Sequence, residues 1–117
     1  MIKASKLQLG NKIIDQHGDI VSVIKIATGE LDLQFEDMAM AGIDPALCDP
    51  IPITPEWLER CTFKKDFNIS RYFETDNYLI DLNQGQDLSG ISVEIKYLHQ
   101  LQNLYYALTG EELSITL

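Results

Sequence analysis

The clearest structural signal in this chain lies in residues 20–36, which read Ile20-Val21-Ser22-Val23-Ile24-Lys25-Ile26-Ala27-Thr28-Gly29-Glu30-Leu31-Asp32-Leu33-Gln34-Phe35-Glu36. The first half is rich in β-branched residues, which favours a strand. A turn is predicted at residues 28–30 because glycine tolerates backbone angles that other residues avoid. From residue 31 onward apolar and polar side chains alternate, which is typical of a strand with one buried face. The stretch therefore predicts two strands joined by a tight turn.

The flanking residues extend this pattern on one side and interrupt it on the other. Residues 12–15 predict a short strand, and residues 16–19 predict a turn at Gly18. The chain thus begins with a three-stranded meander or the start of a small barrel. Prolines break up residues 37–52, so this segment is predicted to be a loop, with one short strand near Ile51.

The middle of the chain predicts a short helix followed by a second meander. Thr54 is a suitable N-cap and Pro55 suits the first helical position, so a helix should begin here and end near residue 61 or 62. Residues 69–75 and 78–83 predict strands that form a hairpin across a turn at residues 76–77. Residues 91–96 alternate and predict a third strand.

The end of the chain predicts a longer helix. Leucines recur at steps of three and four within residues 97–109, and Gly110 can end the helix in a left-handed conformation. The tail through Ile115 and Leu117 either adds an edge strand or stays loose. These elements predict one α+β domain over residues 1–117. We expect short, mostly antiparallel strands, a short middle helix and a C-terminal helix packed on the sheet.

The charge of the chain limits its partners. There are 18 acidic residues and 9 basic ones, which gives a formal net charge of −9. Residues 31–59 contain no Lys or Arg, and their acids are Asp32, Glu36, Asp37, Asp44, Asp49, Glu56 and Glu59. Such a surface repels phosphate, which argues against direct binding of nucleic acid or of an anionic membrane.

The same sequence predicts a cytoplasmic protein. The first residues lack the apolar stretch of a secretory signal, and no run of about 18 apolar residues is present for a membrane helix. The two cysteines, Cys48 and Cys61, do not form a C-x-x-C motif, so we expect reduced thiols, although the sequence leaves a disulfide between them open.

Two segments resemble a known group of proteins. They are Pro52-Ile53-Thr54-Pro55-Glu56-Trp57-Leu58 and Tyr97-Leu98-His99-Gln100-Leu101-Gln102-Asn103-Leu104-Tyr105-Tyr106-Ala107-Leu108-Thr109-Gly110-Glu111-Glu112-Leu113. The first resembles a PI(L)T-x-EWL motif and the second a (Y)-x-HQLQNLY-x-ALTGEEL motif. Both are found in small uncharacterised proteins of Bacteroidota genomes and their phages or other mobile elements. The resemblance implies a mobile-element context, and it transfers no activity, cofactor or catalytic residue.

The C-terminal helix supplies the first candidate binding site. Its polar, uncharged side chains are His99, Gln100, Gln102, Asn103 and Tyr106. Residues three and four apart are neighbours on a helix, and these groups offer both hydrogen-bond donors and acceptors. They therefore predict a surface that binds a partner or a ligand. The alternative is that they cap strands or loops of the same fold.

No motif in the sequence points to catalysis. There is no nucleophile elbow, phosphate loop, metal-ligand spacing or cofactor motif. We therefore predict a non-enzymatic protein, without a metal or cofactor, that docks a protein partner or associates with itself. The alternative is an anti-defence protein. It would act as an acidic mimic of DNA, or as an oligomer that sequesters a signalling nucleotide with Lys64, Lys65 and Arg71.

Overall fold

The computed structural model describes residues 2–63, 67–72, 77–82 and 91–116. It is an α+β protein whose strand pairs are all antiparallel in the described part. In chain order the elements are β1 (Lys12–Ile14), β2 (Ile20–Ala27), β3 (Glu30–Phe35), β4 (Met38–Ile43), α1 (Pro55–Glu59), β5 (Cys61–Thr62), β6 (Phe67–Tyr72), β7 (Asn77–Leu82), β8 (Ile91–Ile95), α2 (Leu98–Thr109) and β9 (Ser114–Ile115). Short 3-10 helices span Ala4–Lys6 and Pro45–Leu47.

The N-terminal strands form an open four-stranded meander in the order β1-β2-β3-β4. Its first turn is organised by Asp15, whose Oδ1 accepts hydrogen bonds of 2.9 Å from the backbone N–H groups of His17 and Asp19. Gly18 takes a φ of +83° in this turn, as the sequence predicts. The register shifts once between β2 and β3 and once between β3 and β4, so the sheet carries two bulges or irregularities.

The core of this sheet follows the alternation in the sequence. Leu31 and Leu33 are fully buried, and Phe35 packs against the same cluster. The remaining members are Ile2, Leu7, Ile13, Val21, Val23 and Cys48, with Ala4, Met40 and Ile43 packed at its margin. Burial of such side chains is the main stabilising contribution to a fold of this size.

A second group of elements begins at residue 53. Thr54 caps α1, its Oγ1 accepting from the Trp57 N–H at 3.3 Å, and Pro55 is the first helical residue, as predicted. The helix is shorter than expected and ends at Glu59. The strands β6, β7 and β8 form a three-stranded meander, and β5 pairs with β9.

The helix α2 begins and ends close to the predicted residues. Leu98 and Leu101 are fully buried, which confirms the apolar stripe at those positions. Gly110 follows with a φ of +74°, and its N–H donates to the Tyr106 carbonyl at 2.8 Å. This is the left-handed helix end that the sequence predicts.

Two local predictions are wrong. Residues 38–43 were predicted to be a loop, yet they form β4, because Met38 and Met40 pair with Phe35 and Leu33 of β3 and Met40 packs at the margin of the core. The turn predicted at residues 76–77 is misplaced, because Asn77 is already in β7 and pairs with Tyr72. The hairpin of β6 and β7 itself is confirmed, while the connecting residues 73–76 lie outside the described residues.

The chain packs as two compact units. The first contains Met1–Pro52 and Tyr97–Asn103, and the second contains Ile53–Lys96 and Leu104–Leu117. The division falls inside α2, whose first residues belong to one unit and whose remainder belongs to the other. The expectation of one domain over residues 1–117 stays a prediction, which the cooperativity of unfolding would test.

Candidate interaction surfaces

The polar face of α2 is largely engaged by its own chain. The Gln102 side chain accepts from the Lys12 N–H at 2.8 Å and donates to the Gly10 carbonyl at 3.0 Å. Asn103 donates to the Lys6 carbonyl at 3.3 Å. Both residues therefore satisfy backbone groups of the N-terminal segment. Their role in binding a partner stays a prediction, and the observed contacts match the alternative of capping within the fold.

Asn11 joins this network from the other side. It is buried, its Oδ1 accepts from the Gln8 N–H at 2.8 Å, and its Nδ2 donates to Asn103 Oδ1 at 2.7 Å. A buried amide with both ends paired is stabilising, whereas one left unpaired costs free energy. The network thus fixes the entry into β1 against the first turns of α2.

We call the side of β1 that faces away from β2 the β1 edge. At one end of it the Lys12 N–H bonds Gln102. At the other end Ile14 exchanges two backbone hydrogen bonds with Asp49, of 2.9 and 2.8 Å. The β1 edge is therefore closed by a side chain and by an isolated bridge.

The other predicted residues of α2 differ in exposure. Gln100 is exposed, and its Oε1 accepts from the Tyr97 N–H at 3.1 Å. The Tyr106 side chain is 51% exposed. Of the predicted set, these two residues remain accessible to another molecule.

His99 is buried, with only 5% of its surface exposed. Its ring stacks on Tyr97 at a centroid distance of 5.9 Å, and Nδ1 makes no hydrogen bond within the described part of the protein. Burial lowers the pKa of His99 below its usual 6.5, because the charged form loses its hydration. His99 is thus a neutral core residue at pH 7, out of reach of a docking partner.

The residues of the alternative ligand site lie largely outside the described part of the chain. Lys64 and Lys65 lie outside the described residues, and Arg71 is placed only by its backbone register opposite Tyr78 in β7. The proposal that these residues hold a nucleotide stays a prediction.

Burial makes both cysteines weaker acids than a free thiol. Both are free thiols. Burial raises the pKa of Cys48, with further contributions from nearby carboxylates, and burial raises the pKa of Cys61 to about 11. Both thiols are therefore protonated at pH 7 and lack the thiolate that attacks a substrate. Among the described residues, no cluster of His, Cys, Asp or Glu has the arrangement of a metal site.

The opposite side of the sheet differs from β1. We call the side of β4 that faces away from β3 the β4 edge. In the described part of the chain, β4 pairs with β3 alone, and no isolated bridge covers its other side. Met38 is 61% exposed, and Ala39, Ala41 and Gly42 are exposed as well.

The direction of the free backbone groups follows from the register. Ile14 bonds away from β2, so Ile13 bonds toward it and pairs with Val21. Bonding direction alternates along each antiparallel strand. Ser22 therefore bonds toward β3 and pairs with Gln34. The next residue along β3, Leu33, bonds toward β4 and pairs with Met40, so the N–H and C=O groups of Ala39 point away from β3. Ala39 therefore presents one donor and one acceptor at the β4 edge.

The composition of β4 leaves this edge open to another strand. Sheet edges are commonly protected by a charged side chain, by proline or by a bulge. The strand reads Met-Ala-Met-Ala-Gly-Ile and contains no charge and no proline. Its one device is the irregularity near Gly42, where φ is +69° and the N–H donates to Asp32 Oδ1 at 3.1 Å. The regular stretch at Met38–Met40 has no such protection.

Sequence reasoning missed this surface for a physical reason. The spacing of Met38 and Met40 has the period of a strand, but the extra residue at the bulge breaks the alternation before Ile43. A glycine that follows two alternating apolar residues was the available signal.

No described helix is long and apolar enough to cross a membrane. Comparison of the chain with protein-family models, with curated proteins and with solved structures gives no match.

Proposed function

We propose that this protein is a non-enzymatic binding protein that docks another polypeptide along the β4 edge by adding a strand to its sheet. The observation that supports this proposal is the Ala39 backbone, which has no strand partner on its outer side among the described residues and lies in a strand without charge or proline. Strand addition draws its affinity from main-chain hydrogen bonds and its specificity from alternate side chains. Here Met38 is the exposed apolar side chain beside that backbone.

The remaining features of the protein are consistent with such a role. The two thiols are protonated and His99 is buried, so neither cysteine supplies a thiolate and His99 is not accessible as a base. Because both cysteines are free, we expect binding to occur in the reducing cytoplasm. The mobile-element context and the anti-defence alternatives stay predictions that rest on the resemblance and on the acidic composition.

The test is photo-crosslinking at the β4 edge. A photoreactive amino acid replaces Met38 in one variant and the exposed Gln16, in the turn after β1, in another. We expect a discrete protein adduct from position 38 and none from position 16.

A second substitution makes this experiment specific for strand addition. Ala39→Pro removes the outward N–H without changing charge, and Ala39→Ser keeps it. The adduct should disappear with Ala39→Pro and persist with Ala39→Ser. An adduct that survives Ala39→Pro, or the absence of any adduct at position 38, would contradict the proposal.

A further inference from the structure

We infer that the occupant of the β4 edge is an extended segment of a different protein, with basic residues at both ends of a short stretch of uncharged residues. This inference rests on the proposed function, because it names the partner for the same edge. It is carried by the charges that surround β4 and by the net charge that a second copy of the chain would bring to the same edge.

The charges around β4 are mainly negative. Glu36 and Asp37 form the turn before the strand, and Asp44 follows it directly. Two further carboxylates reach the bulge: Asp32 accepts from the Gly42 N–H, and Glu30 Oε2 lies 3.7 Å from the position that a Gly42 Cβ would take. In strand order, the basic residue of this sheet closest to β4 is Lys25 on β2, which lies in backbone register with Asp32 on β3. An uncharged strand is thus bracketed by acids at both ends.

A second copy of the chain fits this edge poorly. In the regular stretch of the strand its outward backbone groups are those of Ala39, because the register shift between Met40 and Ile43 interrupts the alternation. An antiparallel pair of β4 strands centred on Ala39 places Glu36 of one copy opposite Gly42 of the other, so a second copy brings no base opposite the acids of β4. Each chain carries a net charge of −9, so two copies repel each other as they approach.

A basic partner strand reverses each of these interactions. The acids at the two ends of β4 are separated by roughly 20 Å, at about 3.3 Å per residue of strand. A segment with Lys or Arg at both ends and small or β-branched residues between them would pair with the Ala39 backbone and meet acids at each end. Its charge would also speed the encounter with this acidic chain.

The experiment measures the binding of labelled synthetic peptides by fluorescence anisotropy. The basic probe is Lys-Lys-Val-Thr-Val-Thr-Lys-Lys, and the acidic probe replaces every Lys with Glu. We expect the basic probe to bind at least about tenfold more tightly, with affinity falling as salt rises. Ala39→Pro should abolish binding, and Ala39→Ser should preserve it.

A matched pair of double variants locates the charge effect. Asp37→Asn with Asp44→Asn should weaken the basic probe about fivefold, because two opposing charges are lost at the ends of β4. The Asn at position 44 can still accept the hydrogen bond that Asp44 takes from the Ala46 N–H. Asp19→Asn with Glu112→Gln makes the same change in net charge outside the β3–β4 hairpin and should leave affinity unchanged.

The outcomes separate this inference from the proposed function. Equal binding of both probes that Ala39→Pro abolishes would overturn the basic partner and leave strand addition standing. A dimer that Ala39→Pro dissociates, without binding of either probe, would make a second copy the occupant and would also overturn the inference. Peptide binding that Ala39→Pro leaves unchanged, or a monomer that binds neither probe, would overturn both the basic partner and strand addition.

Discussion

The two edges of the N-terminal sheet are treated in opposite ways. At the β1 edge, the Lys12 N–H bonds the Gln102 side chain, and Ile14 exchanges two hydrogen bonds with Asp49. At the β4 edge, the register turns the N–H and C=O of Ala39 away from β3, where no described strand pairs with them, and the strand has no charge or proline. The polar side chain of Gln102 on α2 helps to close the β1 edge, whereas no described element closes the β4 edge. The comparison teaches that the conspicuous polar residues Gln102 and Asn103 support the structure, while an inconspicuous alanine lies at the proposed binding surface.

The difference between the β1 edge and the β4 edge is tested most strongly by placing proline on each of them. Lys12→Pro removes an N–H that bonds Gln102, whereas Ala39→Pro removes one that has no partner in the described part of the fold. We expect Lys12→Pro to cost roughly 2–3 kcal/mol of unfolding free energy and Ala39→Pro less than about 0.5 kcal/mol. Urea unfolding followed by circular dichroism measures both. Equal losses would show that the β4 edge is as closed as the β1 edge.

The cap itself gives the next largest effect. Gln102→Ala leaves the Lys12 N–H and the Gly10 carbonyl without their partner. The loss should be about 1–2 kcal/mol of unfolding free energy. Tyr106→Ala, on the exposed part of the same helix, is the control and should change stability by less than about 0.5 kcal/mol. If the two variants were equally stable, Gln102 would not be a cap.

His99 sharpens the comparison by its response to pH. Its pKa is below 6.5 in the folded protein, so the unfolded chain binds a proton first as the pH falls. Its contribution to stability is therefore constant above about pH 6.5 and declines below that value, until His99 itself is protonated. His99→Phe should remove this slope and raise stability at pH 7 by about 1 kcal/mol, because Nδ1 has no partner among the described residues.

Unfolding in urea at a series of pH values tests this prediction. His17→Gln is the control because His17 is exposed, and that variant should keep the slope. A slope that persists in His99→Phe would assign the pH dependence to another group.

The smallest effect is expected in the turn before β4. Glu36 has a φ of +53°, the one positive value among the described residues other than glycine. This conformation costs an ordinary residue about 1–2 kcal/mol, which Gly avoids while losing more chain entropy on folding. Glu36→Gly should therefore stabilise the protein by about 0.5 kcal/mol, as measured from the urea midpoint. Asp37→Gly, where φ is not positive, should destabilise it instead.

Much of the fold was accessible from the sequence because local signals agreed with the packing. The alternation of Leu31 and Leu33 predicted their burial, Thr54 and Pro55 predicted the start of α1, and Gly110 marked the end of α2. In each case a short-range rule of periodicity or capping acts within a few residues. In these places the tertiary packing agrees with the local preference for a strand, a helix start or a helix end.

The candidate site was harder to predict because edges are properties of the assembled sheet. The sequence alone left open whether the polar residues Gln102 and Asn103 meet solvent or the Lys12 backbone, since ninety residues separate Gln102 from Lys12. The bulge near Gly42 interrupts the alternation of apolar residues in β4, so the sequence pattern there predicts a loop. Whether a strand lies at an edge depends on its neighbours, which local patterns do not specify.

The central claim is that the β4 edge accepts a strand while the β1 edge is closed, and amide hydrogen exchange by NMR tests it most directly. In the free protein, the Lys12 and Ile14 amides should exchange slowly and the Ala39 amide quickly. Addition of the basic peptide should slow exchange at Ala39 and leave Lys12 and Ile14 unchanged. An Ala39 amide that is already slow in the free monomer, or that stays fast when the peptide is bound, would contradict the account.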